Sequence, residues 1–299
     1  MGKTNGFLSF ASTFPTEQSC IEYYEQIRWN GKVVSPYDET SKVYKCKNGK
    51  YRCANTGRYF DVKTGTLFAH TKLPLRYWFY AMFLFLSHKR GVSSCQLARD
   101  LGVTQKTAWV MLHKIREYMD CENDHQLCEE VEIDETFVGG KNKNRHKDKK
   151  VEKCQGRSFK DKAPVFGMYQ RGGKLVAKVV PDTRAKTLSP ILSEYVTTES
   201  RVFTDGWEYG DMRNYEQMSV DHGIGFYGTT VVDADGVCVM VCTNGIENAW
   251  SHLKRTIFGT YYQVSKKHLQ RYVDEFTFRF NTRNLGDFER FELYLQSVA

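Results

Sequence analysis

With 299 residues, 41% of them hydrophobic and 14% aromatic, the chain can build one large core or two to three modest domains, which excludes a disordered polymer. Its 43 Lys and Arg outweigh 35 Asp and Glu for a formal net charge of +8, interspersed along the chain, and this balance favours a polyanionic partner. The longest apolar run, WFYAMFLFL at 78–86, falls far below the roughly 20 residues a membrane span needs. No membrane partner is expected. MGKTNGFLSFASTFP lacks the pattern of a secretory leader, and nine cysteines without a CxxC pair predict reduced thiols and a cytoplasmic location.

The first segment, to about residue 34, holds one helical pattern, EQSCIEYYEQIRWNG, that ends at a glycine. Short β-prone runs follow (VYKC, KYRC, RYFDV), alternating with turn signals at Asn48-Gly49 and Asn55-Thr56-Gly57. They predict a small antiparallel hairpin module, of a size that usually needs a metal. From Pro74 three helical patterns succeed one another: LRYWFYAMFLFLSHKRG, SSCQLARDLGV and TQKTAWVMLHKIREYM. Gly102-Val103 separates the last two, Thr104 is placed to cap the third, and Ala108, Leu112, Ile115 and Met119 give it an apolar stripe. A helix, a glycine turn and a helix opening with Thr104, Gln105, Lys106 and Thr107 is the arrangement that enters a DNA major groove. An ordinary helical hairpin shows the same pattern, and the basic composition favours the DNA reading.

Beyond the acidic linker DCENDHQLCEE, strands are predicted at 131–138, at APVFGMYQ and KLVAKVV joined across Arg171-Gly172-Gly173, and at SRVFTD. AKTLSPILSEYV reads as a helix before the last of these, YGTTVVDA and VCVMVC as further β runs, and two helices begin near Asn244 and Ser265. The succession predicts a mixed α/β sheet with helices packed on it. Residues 141–162 carry ten Lys or Arg among 22 and read as a mobile basic loop.

Within VEIDETF, alternation points Glu132 and Asp134 away from the face of Val131 and Ile133, and an aspartate there is poor strand material unless it has a chemical role. Asp205 ends RVFTDG, where an ordinary Asp-Gly turn is the competing explanation. Two aspartates meeting at a sheet edge repel, and a divalent cation is their natural partner. Glu247 lies in the first turn of the helix NGIENAWSHLKR, with Lys254 on the same stripe and Ile246, Trp250, Leu253 and Ile257 on the apolar one. A capping box with Asn244 as N-cap is the alternative role for Glu247. Cys238 and Cys242 read as buried thiols, and His222 as a packed or hydrogen-bonded histidine.

Taken together, VEIDETFVGGKNKNRHKDKK, VFTDGW and NGIENAWSHLKRTIFGTYYQVSKKHLQRYVDEFTFRFN resemble bacterial insertion-sequence transposases of the DDE, RNase H-like superfamily, and GKYRCANTGRYFDVKTGTLFAHTKLPLRYWF and LARDLGVTQKTAWVMLHKIR agree upstream. The closest group carries a zinc ribbon and a helix-turn-helix ahead of the catalytic domain. The resemblance covers residues 33 to 285. It implies an α/β fold: an RNase H-like mixed sheet flanked by helices, preceded by a β ribbon-like module and a helix-turn-helix. The implied domains are 1–72 for the N-terminal helix and degenerate ribbon, 73–122 for the helix-turn-helix, and 128–299 for the catalytic domain with its basic loop.

The resemblance makes Asp134, Asp205 and Glu247 ligands of Mg²⁺, with Mn²⁺ as a substitute, and Lys254 the accompanying catalytic lysine. Asn248 is the alternate third ligand, since the group varies at that position. DNA contacts fall to Thr104, Gln105, Lys106 and Thr107 and to Lys141, Lys143 and Arg145. Where the ribbon usually reads CPxC and CxxC, this chain has Ser35-Pro36-Tyr37-Asp38 and Cys53-Ala54-Asn55-Thr56, so the module is expected to keep its shape without structural zinc. Cys242 stands where the group often has histidine. The implied activity is metal-dependent cleavage at terminal repeats and strand transfer into target DNA, by a homodimer or higher oligomer on double-stranded DNA. Two other readings are a transposase-derived DNA-binding protein without strand transfer and a structure-specific nuclease.

Overall fold

The computed structural model describes residues 6–47, 49–122, 126–140, 146–151, 162–206, 213–219, 228–232, 236 and 238–299. They fall into two units, the first formed by residues 1–119 and 284–299 and the second by 120–283.

In the first unit, helix α1 (Phe7–Thr13) leads into α2 (Glu17–Trp29). Thr16 and Ser19 cap α2 reciprocally, each side chain accepting from the other's backbone N–H at 3.1 and 3.2 Å. Asn30 at φ 44° and Gly31 at φ 83° end it in left-handed backbone. Strands β1 (Val43–Lys45), β2 (Tyr51–Cys53) and β3 (Tyr59–Phe60) form the expected antiparallel hairpin module. At the positions where a ribbon places its ligands, hydrogen bonds tie the two turns together. The Asp38 carboxylate accepts from the Thr40 hydroxyl (2.7 Å), the Asn55 amide (2.8 Å) and the Thr40 N–H (2.9 Å), which hold it below the usual carboxylate range. Cys53 is buried, which pushes its thiol up, but the hydroxyls of Ser35, Ser41 and Thr56 and the Thr56 N–H outweigh burial and bring it to about 6.

Helices α3 (Leu75–Ser87), α4 (Ser94–Leu101) and α5 (Gln105–Arg116) follow. Ser93 caps α4, Gly102 at φ 66° closes it, and Thr104 caps α5. The core of the unit is aromatic: Phe10 stacks on Phe83 at 4.1 Å, and Phe14, Phe79 and Phe291 pack edge-on around them. Phe291 belongs to α9 (Asp287–Ser297), anchored where Tyr24 donates to the Val298 carbonyl and Tyr294 to that of Ile115, both at 2.8 Å. Residues 284–299 cluster with the first unit, where their aromatic stripe finds partners in α1 and α3.

The second unit is built on a five-stranded mixed sheet of β4 (Glu130–Val138), β5 (Ala163–Gln170), β6 (Leu175–Val179), β7 (Arg201–Thr204) and β8 (Glu216–Ser219), in the order β6-β5-β4-β7-β8. β5 runs antiparallel to β4 and β6, joined to β6 by the foreseen hairpin with Gly172 at φ 70°, while β4, β7 and β8 are parallel. Helix α6 (Ala185–Tyr195) covers one face, packing Leu188 and Leu192 on Val131, Ile133, Phe166 and Val202. Helices α7 (Asn244–Thr256) and α8 (Leu269–Asn281) cover the other, where Ile246, Trp250, Leu253 and Val273 meet Val165, Leu175 and Ala177. A separate antiparallel pair, β9 (Thr229–Val232) and β10 (Cys238–Val241), precedes α7. Cys238 is exposed and Cys242 half-buried, so neither is the core thiol the sequence suggested: β9 and β10 form a two-stranded ribbon outside the sheet. Among the described residues, no helix is long and apolar enough to cross a membrane.

Candidate active site

Alternation along β4 sends Val131 and Ile133 under α6 and leaves Glu132 and Asp134 on the face of α7. β7 pairs in parallel with β4, Glu132 lying beside Phe203. Continuing that register by two residues sets Asp134 beside Asp205, just past the end of β7, where Gly206 at φ 86° turns the chain away. Two carboxylates are thus brought together where β7 ends beside the middle of β4.

Helix α7 supplies the third. It begins at Asn244, and its N-cap is Thr243, so Asn244 lies inside the helix and the capping-box role for Glu247 does not hold. The buried Thr243 hydroxyl instead donates to Glu247 Oε1 at 3.4 Å. Glu247 and Asn248 are both exposed on the first turns. Three residues after Glu247, just under one turn on, the Trp250 indole donates through Nε1 to Asp134 Oδ2 at 3.0 Å. Gly167 makes this possible. It is the register partner of Asp134 on β5, and a Cβ there would lie 2.3 Å from the Trp250 ring.

The electrostatics join these groups. Burial pushes the Asp134 carboxyl up to about 7, the charge of Asp205 adds to the rise and that of Glu247 adds less, while the Glu135 N–H and the Trp250 indole pull it down. Lys254 is held below its ordinary value, first by burial and also by Lys162; Asp134 works in the opposite direction. Asp134, Asp205, Glu247 and Lys254 therefore share one field. Among the described residues, no group of three His, Cys, Asp or Glu side chains, Asp134, Asp205 and Glu247 included, is arranged to hold a metal ion. Mg²⁺ commonly takes one or two carboxylates and completes its shell with substrate phosphate oxygens and water. A half-buried carboxyl raised by two neighbouring acids fits such an ion, whose charge offsets that repulsion.

Several residues of this site escaped the sequence reading. Trp250 was assigned only to an apolar stripe, and Lys162 only to a basic loop. Gly167 carried a signal, since a glycine inside VFGMY marks close approach by a neighbour. Glu132 is 2% exposed, accepting from Arg171 Nε and from the Ile246 N–H, both at 2.9 Å.

In the first unit, Thr104 accepts from the Thr107 N–H at 3.2 Å and the two hydroxyls are 2.8 Å apart, so both serve the α5 cap. Gln105 donates to Ser94 at 2.8 Å and braces α5 against α4. Lys106 is exposed and makes the outward face together with Trp109 (42% exposed) and Val110 (41%), two residues the sequence reading did not single out. Lys141, Lys143, Arg145 and His222 lie outside the described residues.

Comparison with known proteins places this geometry in a family. Residues 126–281 match the ISXO2-like transposase domain. The chain is 30% identical over 285 residues to a protein of Halobacterium salinarum described as an uncharacterized protein in transposable element ISH50, covering 89% of this chain and 92% of that one. A shorter match, 29% over 115 residues, aligns 38% of this chain with 85% of an uncharacterized transposase-like protein of Haemophilus influenzae. The domain match encloses all four residues of the acid site, and the longer relative spans both units. The chain belongs to the ISXO2-like transposases, insertion-sequence transposases of the DDE type.

Proposed function

We propose that the protein is a DNA transposase that binds insertion-sequence terminal repeats, cleaves DNA at them and transfers the freed strand into target DNA. The observation that carries this reading is the strand register that sets Asp134 beside Asp205 on the face covered by the helix of Glu247 and Lys254, within a region that matches the ISXO2-like transposase domain. The strand order β6-β5-β4-β7-β8, antiparallel on one side of β4 and parallel on the other, supports an RNase H-like arrangement of the catalytic unit.

In this reading Asp134 and Asp205 are the first two metal ligands and Glu247 the third, with Asn248 its alternate. Mg²⁺ or Mn²⁺, when bound, supplies activation of a water or 3′-hydroxyl and stabilisation of the leaving oxygen in phosphodiester displacement. Trp250 fixes the rotamer of Asp134, leaving Oδ1 directed away from the indole. Thr243 steers Glu247. Lys254 sits beside Asp134 as a cation for a scissile phosphate, and its depressed basicity reflects a site already partly dehydrated. The α4–α5 pair acts as the helix-turn-helix, with Lys106 as the phosphate contact and Thr104, Thr107 and Gln105 shaping the entry of α5. Lys141, Lys143 and Arg145 would hold DNA backbone near the acids. The hairpin module works without structural zinc. The active form is a homodimer or higher oligomer on double-stranded DNA, in the cytoplasm.

One assay tests the reading: the protein with Mg²⁺ or Mn²⁺, its own terminal repeats and a target plasmid, with Asp134→Asn alongside. Strand-transfer products that the variant abolishes are expected. Binding without cleavage points to a transposase-derived DNA-binding protein, and cleavage without joining to a nuclease.

A further inference from the structure

Arg171, in the turn between β5 and β6, touches the strands that carry Asp134 and Asp205 and the segment that leads into the helix of Glu247. Its Nε donates to Glu132 Oε1 at 2.9 Å, on the strand of Asp134. Its guanidinium lies 3.8 Å from the ring centre of Phe203, two residues before Asp205. Its Nη1 donates to the Met240 carbonyl at 2.8 Å and its Nη2 to the Cys242 carbonyl at 2.9 Å, on the segment that enters the helix of Glu247. Glu132 extends the connection, since its second oxygen accepts the Ile246 N–H at 2.9 Å, in the first turn of α7. Gly245 leaves the space for this contact: a Cβ there would lie 2.8 Å from Glu132 Oε2 and 2.4 Å from the Tyr169 ring.

The geometry points to Arg171, acting with Glu132, as the positioning residue that sets the three acids in register for metal binding. The inference rests on the acid site proposed above. A planar guanidinium presents donors in several fixed directions and a face for an aromatic ring, so it holds one strand, a second strand's ring and a third segment's carbonyls at once. An ammonium is a point charge and cannot span the three. Arg171 and Glu132 both act through Asp134, Asp205 and Glu247. The part of Cys242 is explained as well: its backbone carbonyl, with its sulfur at 3.5 Å, is a landing point for Arg171.

The test compares wild type, Arg171→Lys, Glu132→Gln and Leu188→Ala, the last a core variant on the opposite face of the sheet. Arg171→Lys keeps the charge next to Glu132, and Glu132→Gln keeps the shape. The readouts are Mn²⁺ binding, single-turnover nicking of terminal-repeat DNA, terminal-repeat affinity, and amide hydrogen exchange of residues 242–250 without DNA. Expected for Arg171→Lys are Mn²⁺ affinity lowered about 10-fold or more, nicking slowed about 100-fold, repeat affinity within about 2-fold, and faster exchange confined to 242–250. Wild-type Mn²⁺ affinity in Arg171→Lys overturns the proposal, as does an equal loss of nicking in Leu188→Ala at matched melting temperature. If Asp134→Asn nicks as fast as wild type, the acid-site reading itself fails; unchanged exchange at 242–250 in Arg171→Lys refutes the positioning role independently.

Discussion

Trp250 reaches across 116 residues of sequence to donate its indole N–H to Asp134 at 3.0 Å, and nearly all of the indole is buried between α7 and β5. One side chain both seals the core beneath α7 and holds the central carboxylate. Trp250→Phe keeps the ring and deletes the donor, so stability is expected to fall by about 0.5–1.5 kcal/mol. The Asp134 carboxyl should then rise further, and half-maximal cleavage should need more Mn²⁺. Denaturant melts and metal titrations of the variant measure both.

Gly167→Ala tests the same contact from the other side. Its Cβ would stand 2.3 Å from the Trp250 ring, against an indole buried too deeply to yield freely. A loss of about 1–3 kcal/mol is expected from overpacking, with a shift in tryptophan emission. An alanine variant as stable as wild type would show that the indole does not lie on β5.

The Asp134 carboxyl makes the metal-free protein sensitive to pH. Its folded value, about 7, stands above the ordinary 3.8, so between these values the folded chain binds the extra proton and stability declines as pH rises. At 1.36 kcal/mol per unit the ceiling is about 4 kcal/mol, and partial solvation reduces it to the order of 1–3 kcal/mol. Urea melts from pH 4 to 8 without metal should show this decline. Asp134→Asn should flatten it, and Mg²⁺ should restore stability at the upper end.

For the hairpin module, elemental analysis is expected to find no stoichiometric zinc and chelator to leave the melting curve unchanged. Its hydrogen bonds are the expected substitute. Asp38→Ala removes the acceptor shared by Thr40 and Asn55, and a lower melting temperature is expected. One zinc per chain would overturn this account.

Lys106→Ala is expected to weaken binding to all DNA sequences alike and to lower the salt slope of binding by about 1, the signature of one phosphate contact. Gln105→Ala should act differently, loosening α5 from α4 because Gln105 braces Ser94. Fluorescence anisotropy across a salt series separates the two.

Much of the fold was legible because it rests on local periodicity. The two-residue repeat of VEIDETF placed Asp134 opposite Val131 and Ile133, the Arg171-Gly172-Gly173 turn joined β5 to β6, and Ile246, Trp250, Leu253 and Ile257 marked the buried stripe of α7. The allegiance of α9 to the first unit was not legible, because an aromatic stripe does not name the surface that receives it. The capping-box alternative was open in the sequence, since Thr243 and Asn244 are both good capping residues, and the helix takes Thr243 as its N-cap.

The sequence by itself determined the chemistry available: which carboxylates face one side of a strand, which helix brings a glutamate and a lysine on one stripe, and which family the chain joins. Only the tertiary structure decided how those groups are held. Glu132 and Asp134 are both acids on the same face of the same strand, yet one is neutralised by Arg171 and the other rises under burial and the charges of Asp205 and Glu247. Alternation along a strand sets direction; the partner met there comes from residues far away in the chain, and that partner separates the structural acid from the proposed catalytic one.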